Sequence, residues 1–416
     1  MIKYVKSLEK YLVFFLIFLL PTQLAYHFWP QSAFVFGIRV DLLSPSIYLT
    51  DILIVGLFLT KVVGDVGFLR PLKKYKNLLL FILLFVIINS LFSITPAVSV
   101  YKWFKVVEMS FVTLYFSKQN LVEFSSITKS LFYSSIFFSL IGIIQFFKGG
   151  TIGGLFYYLG ERSFNLGSPG IALVSLGGAL YLRAYSTFSH PNSLAGFLGV
   201  ITLLILLSGK LRKTPSNILG LLIILSCFIL SFSISAYLGV FLSFALYLFS
   251  KNKKVFKFIV LTFLFLSIIG SLLLPIMSPW ILKTFALNAQ NITERLNLSY
   301  IAGKVISHHF LLGAGLGTFI INIPMFRGIF SYSWILQPVH NIYLLVFSEA
   351  GIIAFLTFCY LIYKVLMNGL KKNKLYLLLP LIFILFTGLF DHYWLTLQQN
   401  LILVSLLLGL SFRITT

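Results

Sequence analysis

The chain is poor in charge, and in acidic residues above all. Only 10% of its 416 residues are charged, and ten of the charged residues are Asp or Glu. A soluble domain carries about 25% charged residues, so this sequence cannot cover a water-facing surface of ordinary polarity. Because 59% of its residues are hydrophobic, the composition is typical of a membrane protein. We therefore treat residues 1–416 as a single integral membrane domain.

Several motifs that carry chemistry are also missing. The two cysteines, Cys227 and Cys359, lie in apolar runs, which argues against a disulfide framework. No two acids form a D-x-D pair, and the sequence has no Cys/His cluster and no Walker loop. These absences disfavour a metal-dependent nucleotide-sugar transferase and an ATP-driven pump. We predict no metal site and no cofactor.

Long apolar runs are abundant. Twelve of them are each about long enough for a membrane-crossing helix. They lie near 11–28, 42–63, 77–95, 98–117, 126–147, 193–208, 217–234, 235–250, 255–277, 339–367, 375–391 and 394–412. The pattern predicts an all-α polytopic membrane protein with about twelve transmembrane helices.

The net charge of +22 could suggest a nucleic-acid partner, but the positions of the basic residues argue against one. Of the 32 Lys and Arg residues, 22 fall at the termini or in alternate loops, eight in the other loops and two inside a helix. Lys and Arg concentrate on the cytoplasmic side of membrane proteins. The charge therefore predicts a topology with cytoplasmic N- and C-termini, and we predict no nucleic-acid partner.

This topology leaves two long segments on the outer side, at 148–192 and at 278–338. The second is a large loop between helices nine and ten, and we predict that it is periplasmic. Within the first, residues 171–183 are expected to form a helix or a re-entrant piece. Because loops on a rigid scaffold often carry function, we expect the chemistry on the outer face.

Arg295 heads the clearest amphipathic segment of the large loop, "ERLNLSYIAGKVISHH". Leu298, Ile301, Ala302 and Val305 follow the i, i+3, i+4, i+7 pattern of one helix face. Arg295 precedes this stripe in register, so it should point into the protein or the interface. A guanidinium placed there suits the oxygens of a phosphate.

Two further segments place a histidine at the outer-side end of a predicted transmembrane helix. Arg183 and His190 lie in "RAYSTFSHPNSLAGFL", and His340 opens "HNIYLLVFSEAG". Each histidine alone is compatible with a structural interfacial residue, but two of them beside basic loops favour a site. Glu349 lies about 13–14 Å from His340 along a helix, too far for a direct bond, and we interpret it as a buried structural residue.

Two other features are ambiguous. Lys102, Lys105 and Glu108 follow one another at three-residue spacing, which fits either snorkelling with an ion pair or a second phosphate contact. The glycines of "FLLGAGLGTF" do not follow a strand, so they are not a dinucleotide fingerprint. They indicate a tight turn, and an anion-binding backbone nest is the alternative.

Together these segments resemble the O-antigen ligase and O-antigen polymerase superfamily of bacterial inner-membrane glycosyltransferases, which includes some protein O-oligosaccharyltransferases. The similarity rests on "RAYSTFSHPNSLAGFL", on "ERLNLSYIAGKVISHHFLLGAGLGTF" and on "HNIYLLVFSEAG". The last keeps a histidine, ten residues and a glycine, here His340 to Gly351. The expected helix count and the large loop before the tenth helix also fit.

The resemblance implies a metal-independent transfer of a glycan from undecaprenyl diphosphate to an acceptor hydroxyl at the periplasmic face of the inner membrane. The acceptor would be lipid A core or a growing lipid-linked chain. His340 would be the base, and Arg295 and Arg183 would hold the diphosphate. We assign substrate-binding roles to the remaining candidates: Arg327, Lys102, Lys105, His190, Asn192, Asn341 and His309.

Other functions stay open at this level. Within the superfamily, the sequence does not distinguish a ligase from a polymerase or a protein glycosylating enzyme. A flippase for lipid-linked glycans would need charges near the membrane midplane and repeated halves, neither of which is evident. A peptidoglycan-type polymerase would rely on an acidic loop residue, and the large loop offers only Glu294.

Overall fold

Helices make up most of the regular structure in the computed structural model, which describes residues 2–65, 67–211, 214–285, 290–326 and 335–413. The helices are α1 Ile2–Phe18, α2 Leu49–Gly64, α3 Lys76–Leu91, α4 Pro96–Lys118, α5 Phe124–Lys148, α6 Pro191–Ser208, α7 Pro215–Leu230, α8 Ile234–Phe249, α9 Lys253–Phe285, α10 Gln290–His308, α11 Phe319–Asn322, α12 Ile342–Lys371, α13 Leu375–Thr387, α14 Tyr393–Thr396 and α15 Gln398–Phe412. Each of the twelve apolar runs overlaps one long helix: α1–α9, α12, α13 or α15.

Many of these helices have the composition of membrane spans. Within the described residues, five helical segments are long and apolar enough to cross a bilayer: Arg70–Leu91, Phe124–Lys148, Pro191–Ser208, Lys253–Thr284 and Ile342–Lys371. The helices α7, α8, α13 and α15 are apolar but shorter. The chain is thus a multi-pass helical membrane protein, whereas the number of twelve spans remains a prediction.

Helix α6 forms the centre of the bundle, and 83% of its apolar window is buried. It packs against α13, while α13 also packs against α8. Phe383 of α13 fits between two glycines. A Cβ added at Gly199 would lie 2.5 Å from Cζ of Phe383, and a Cβ added at Gly239 would lie 2.8 Å from Cδ2 of Phe383. Small residues at helix contacts let membrane helices approach closely. This packing brings the start of α6 and the end of α13 together.

Helix α10 lies on a second, smaller core. Its predicted apolar stripe is buried, since Leu298, Ile301, Ala302 and Val305 are at most 3% exposed. The stripe packs into one cluster with residues of the 33–43 segment and with Leu344 of α12. The spacing therefore predicts this helix and its inward face correctly, and the packing fixes the position of Arg295 near the helix start.

The short strands were not anticipated. They are β1 Ala25–His27, β2 Phe34–Val35, β3 Ile38–Arg39, β4 Ser46–Tyr48, β5 Leu173–Leu176 and β6 Ala179–Leu182. They form three antiparallel pairs, β1–β4, β2–β3 and β5–β6. The helix expected as one alternative at 171–183 is wrong, because this segment contains the β5–β6 hairpin, whereas a re-entrant position remains a prediction. Gly177 (φ 58°) and Gly178 (φ 87°) form a two-residue turn with positive φ, which is the geometry of a tight β-hairpin.

The start of the large 278–338 segment also differs from expectation. Helix α9 continues through Pro275 and Pro279 to Phe285, so the first residues of the segment prolong the helix. Within transmembrane helices a proline is tolerated, because neighbouring groups compensate for the lost hydrogen bond. Much of the remaining described part is helical, in α10 and α11.

Candidate active site

The site lies at the end of the bundle where α6, α8 and α12 begin, which we call the site end. Its centre is Asp391, in the turn between α13 and α14, with 5% of its surface exposed. Asp391 Oδ2 accepts a hydrogen bond from Asn192 Nδ2 at 3.0 Å, and Oδ1 accepts one from the backbone nitrogen of His392 at 2.9 Å. Oδ1 also lies 3.4 Å from Nδ1 of His340. One carboxylate therefore connects α6, α12 and the α13–α14 turn.

His340 is oriented by this carboxylate. Its side chain is 16% exposed, and its Nδ1 is buried with no closer partner among the described residues. On the opposite side of the ring, Nε2 lies 3.1 Å from Oε1 of the exposed Gln337. The His392 ring packs beside it, with 5.1 Å between ring centroids. With the proton on Nδ1 facing Asp391, Nε2 is the nitrogen available to accept a proton.

Asn341 holds the start of α12 and thereby the position of His340. Its Oδ1 accepts hydrogen bonds from the backbone nitrogens of Tyr343 and Leu344, both at 3.0 Å. Its Nδ2 donates to Ser271 Oγ at 2.9 Å. This is an N-cap that also ties α12 to α9. Asn341 was predicted to bind substrate, but these contacts commit its amide to the scaffold.

Arg183 reaches the same cluster from the end of β6. Its Nη2 donates to Asn192 Oδ1 at 2.7 Å, and its Nε donates to the carbonyl of Ser231 at 2.7 Å. The Asn192 amide thus accepts from Arg183 and donates to Asp391. Asn192 was also predicted to bind substrate, and here its side chain bridges the arginine and the carboxylate.

Arg295 approaches from α10 on the other side of the α13–α14 turn. Its Nη1 donates to the carbonyl of Phe390, next to Asp391, at 2.6 Å. Among the described residues, the named bonds use two of the five N–H donors of Arg183 and one of the five of Arg295. The remaining donors can bind an anion.

The charges at the site end act on one another. Burial alone would raise the pKa of Asp391, but the nearby His340 imidazole, with the charges of His392 and Arg295, holds it well below its usual range. Burial lowers the pKa of His190 to about 4, against the opposing effect of Asp391. Burial likewise lowers the pKa of His392 to about 3. Asp391 is therefore a carboxylate and these two histidines are neutral near pH 7.

Three groups of this cluster have the types and spacing of metal ligands. One ligand atom each from His340, Asp391 and His392 lie within 4.8 Å of one another. However, the positive charge of Arg295 acts on Asp391 and His392, two of these three groups. A positive surrounding potential favours an anion over a metal ion. Metal independence nevertheless remains a prediction.

The other predicted site residues lie elsewhere. Lys105 is held by ion pairs with Asp51 and Glu108 at one side of the bundle. His309 follows α10 at the end opposite Arg295, about 21 Å away along the helix axis. Arg327 lies outside the described residues.

Glu349 has the structural role that its distance from His340 suggests. Its Oε2 accepts from the backbone nitrogen of Gly317 at 2.9 Å, and its Oε1 from that of Phe319 at 3.1 Å. The two backbone N–H groups of the glycine-rich turn are therefore satisfied by this side chain. Gly351 interrupts α12 with φ 72°, which lets the helix backbone meet the same turn.

Sequence reasoning missed Asp391 and His392. The signal was present, because "FDHYW" places a charged residue between two apolar runs, and such residues in membrane proteins are costly and usually functional. Asp391 lies at the boundary between the last two predicted apolar runs, 375–391 and 394–412. Only the packing of α13 against α6 shows what this acid contacts.

Comparison with known proteins gives a family match for part of the chain. The family model described as O-antigen ligase matches residues 219–359, about a third of the chain. The matched segment contains Arg295, His340 and Gly351 but neither Arg183 nor Asp391. A search among curated proteins finds no match. Residues 219–359 of this chain are thus similar to the O-antigen ligase family, which supports the resemblance drawn from the sequence motifs.

Proposed function

We propose that the protein is a glycosyltransferase that moves a glycan from undecaprenyl diphosphate to an acceptor hydroxyl. The observation that carries this proposal is the His340–Asp391 pair with Arg183 and Arg295 beside it. A base and an anion site are the two elements that such a transfer requires from the protein. We further propose that the site end faces the periplasm of a bacterial inner membrane, in accordance with the distribution of Lys and Arg.

The base in this proposal is His340. A sugar hydroxyl is a weak nucleophile until its proton is removed. Nε2 of His340 accepts that proton as the hydroxyl oxygen attacks the anomeric carbon of the donor, and Gln337 swings away to make room. Asp391 then stabilises the imidazolium that forms, since its carboxylate is 3.4 Å from Nδ1.

The arginines act on the leaving group. As the bond between the anomeric carbon and the phosphate oxygen breaks, negative charge develops on undecaprenyl diphosphate. Arg183 and Arg295 each keep N–H donors free among the described residues, and guanidinium groups match phosphate oxygens in a bidentate manner. Because Asn192 and the Phe390 carbonyl fix these side chains in advance, little reorganisation is needed at the moment of reaction.

The test uses purified protein in nanodiscs with undecaprenyl diphosphate carrying a labelled glycan. Lengthened lipid-linked chains identify a polymerase, transfer to lipid A core a ligase, and transfer to a polypeptide a protein glycosylating enzyme. Movement of the intact donor across the membrane without glycan transfer would instead indicate a flippase and refute the proposal.

The His340→Ala variant tests the mechanism. We expect its turnover to fall by roughly 10²–10⁴-fold, which is the usual contribution of general-base catalysis. Donor binding should be retained, because the arginines remain. His340→Gln should not restore the rate, since an amide cannot accept the proton. His308→Ala, at an exposed position on α10, is the matched control. Full activity of His340→Gln would reduce His340 to a structural role.

A further inference from the structure

A buried glutamine near the end of α5 contacts the chain segment that carries Arg183. The side chain of Gln145 is fully buried. Its Oε1 accepts a hydrogen bond from the backbone nitrogen of Ser186 at 2.6 Å, and its Nε2 donates to the backbone carbonyl of the same residue at 2.9 Å. One side chain thus satisfies both backbone polar groups of Ser186 and joins α5 to the chain between Arg183 and α6.

Ser186 has a backbone conformation that residues with a side chain rarely adopt. Its φ of 55° lies in the left-handed region, which is unfavourable for residues that carry a Cβ. Such conformations persist where the surrounding structure fixes them, and they are concentrated at functional sites. The Ser186 hydroxyl also donates to the carbonyl of Phe138 of α5 at 2.7 Å, and the Thr187 hydroxyl donates to the carbonyl of Pro21 at 2.6 Å. The turn at Ser186 is therefore fixed from α5 and from the chain after α1.

Glu161 fixes the orientation of the Gln145 amide. Glu161 is buried, and its Oε1 accepts from Nε2 of Gln145 and from the backbone nitrogen of Ile152, both at 2.7 Å. Its Oε2 accepts from the backbone nitrogen of Gly153 at 2.7 Å. Because an ionised carboxylate only accepts hydrogen bonds, the NH₂ group of Gln145 must face Glu161. The carbonyl oxygen of Gln145 then faces the backbone nitrogen of Ser186.

The turn at Ser186 lies between two residues of the active site. Arg183 is three positions before Ser186, and Asn192 is six positions after it. Arg183 donates to Asn192 Oδ1 and to the carbonyl of Ser231, so the position of its guanidinium depends on both ends of this segment. If the turn relaxes, Arg183 and Asn192 move relative to each other, and the donors that face the reaction move with them.

We propose that Gln145, oriented by Glu161, is a positioning residue that holds the turn at Ser186 and thereby sets the position of Arg183 against Asn192. The inference rests on the proposed function, in which Arg183 binds the diphosphate, and it adds the residues that hold Arg183 in place. The contacts of Gln145 described above are with Ser186 and Glu161, so it acts through Arg183. A displacement of about 1 Å in a positioned group can lower a rate by about 10²-fold.

The first test compares two buried glutamines. Gln145→Leu keeps the size of the side chain and removes its hydrogen bonds, and it should lower kcat/KM per folded molecule at least tenfold in the nanodisc transfer assay. Gln119→Leu is the matched control, because Gln119 is also buried and bonds to the backbone of Val122, at the other end of α5. It should lower the thermal stability and keep the rate. Equal losses of rate in both variants, or none in Gln145→Leu, would reduce Gln145 to a structural role.

A double-mutant cycle tests whether Gln145 acts through the arginine. In the Arg183→Lys background the guanidinium that Gln145 positions is absent. Adding Gln145→Leu should then lower kcat/KM by less than threefold, compared with at least tenfold in the native background. Interaction of this kind between two positions appears as non-additivity. Additive losses would show that Gln145 acts elsewhere and would overturn the proposal.

A measurement without catalysis separates this inference from the proposed reaction. In hydrogen exchange followed by mass spectrometry in nanodiscs, peptides that cover 183–192 should exchange faster in Gln145→Leu than in the native protein, and at the native rate in Gln119→Leu. If Gln145→Leu does not fold, Glu161→Gln is the second variant. It keeps the size of the side chain and loses the bond from Gly153, so it should give a smaller change in the same direction. Unchanged exchange in the folded variants would overturn the proposal, whereas faster exchange without any glycan transfer would refute only the proposed function.

Discussion

Replacing Asp391 by asparagine removes the negative charge at the centre of the site and keeps the shape of the side chain. In the native protein this carboxylate accepts from Asn192 Nδ2 and the His392 nitrogen, and it faces Nδ1 of His340. An amide at this position can still accept on one side. Its own NH₂ group must then face either the NH₂ group of Asn192 or the N–H groups of the histidines.

The expected loss of activity follows from the role of the charge. In the proposed mechanism the carboxylate stabilises the imidazolium that forms at His340, and an Asp to Asn change behind a catalytic histidine lowers kcat by about 10⁴ in the serine protease triad. Here the carboxylate lies 3.4 Å from Nδ1, longer than an ordinary hydrogen bond, so we expect about 10³-fold, or about 4 kcal/mol. The unpaired amide should also lower the stability by about 1–3 kcal/mol.

A double variant separates these two effects. In Asn192→Asp/Asp391→Asn, the new aspartate accepts from Arg183 and from the new asparagine, so the hydrogen bonds are complementary again. Thermal stability in detergent should return toward the native value, whereas kcat in the nanodisc transfer assay should stay low. The reasoning is refuted if Asp391→Asn alone keeps more than a tenth of the native kcat, or if the double variant recovers it.

Three further predictions concern the same site. Arg295→Lys should lose at least tenfold in kcat/KM, because lysine keeps the charge but not the bidentate fork, whereas Arg162→Lys at an exposed ion pair should behave like the native protein. Activity should persist in EDTA without added divalent metal, and loss restored by magnesium or manganese would contradict this. Burial lowers the pKa of His190 to about 4 and that of His392 to about 3, so the unfolded chain binds more protons below about pH 6.5. Thermal stability should therefore fall more steeply, or rise less, in the native protein than in His190→Gln as the pH drops from about 6.5 toward 4; the same pH dependence in both proteins would show that His190 is not buried neutral.

The sequence alone was sufficient for features that depend on residues close together in the chain. Hydropathy over about 20 residues predicts the long helices, because a chain segment in lipid must satisfy its own backbone hydrogen bonds. The spacing of Leu298, Ile301, Ala302 and Val305 predicts α10 and its buried face. Motif resemblance selected Arg183, Arg295 and His340, and the structure places all three around one carboxylate.

The tertiary structure alone decided which distant residues meet. Asp391 contacts Asn192, which is 199 positions earlier, and Lys105 meets Asp51 across 54 positions. No periodicity encodes such contacts, because they depend on how the helices pack, including α13 against the glycines of α6 and α8. Without that packing, Asp391 is one acid between two apolar runs and Lys105 is a candidate phosphate ligand. Once the helices pack, Asp391 becomes the partner of His340, and Lys105 is neutralised by Asp51 and Glu108.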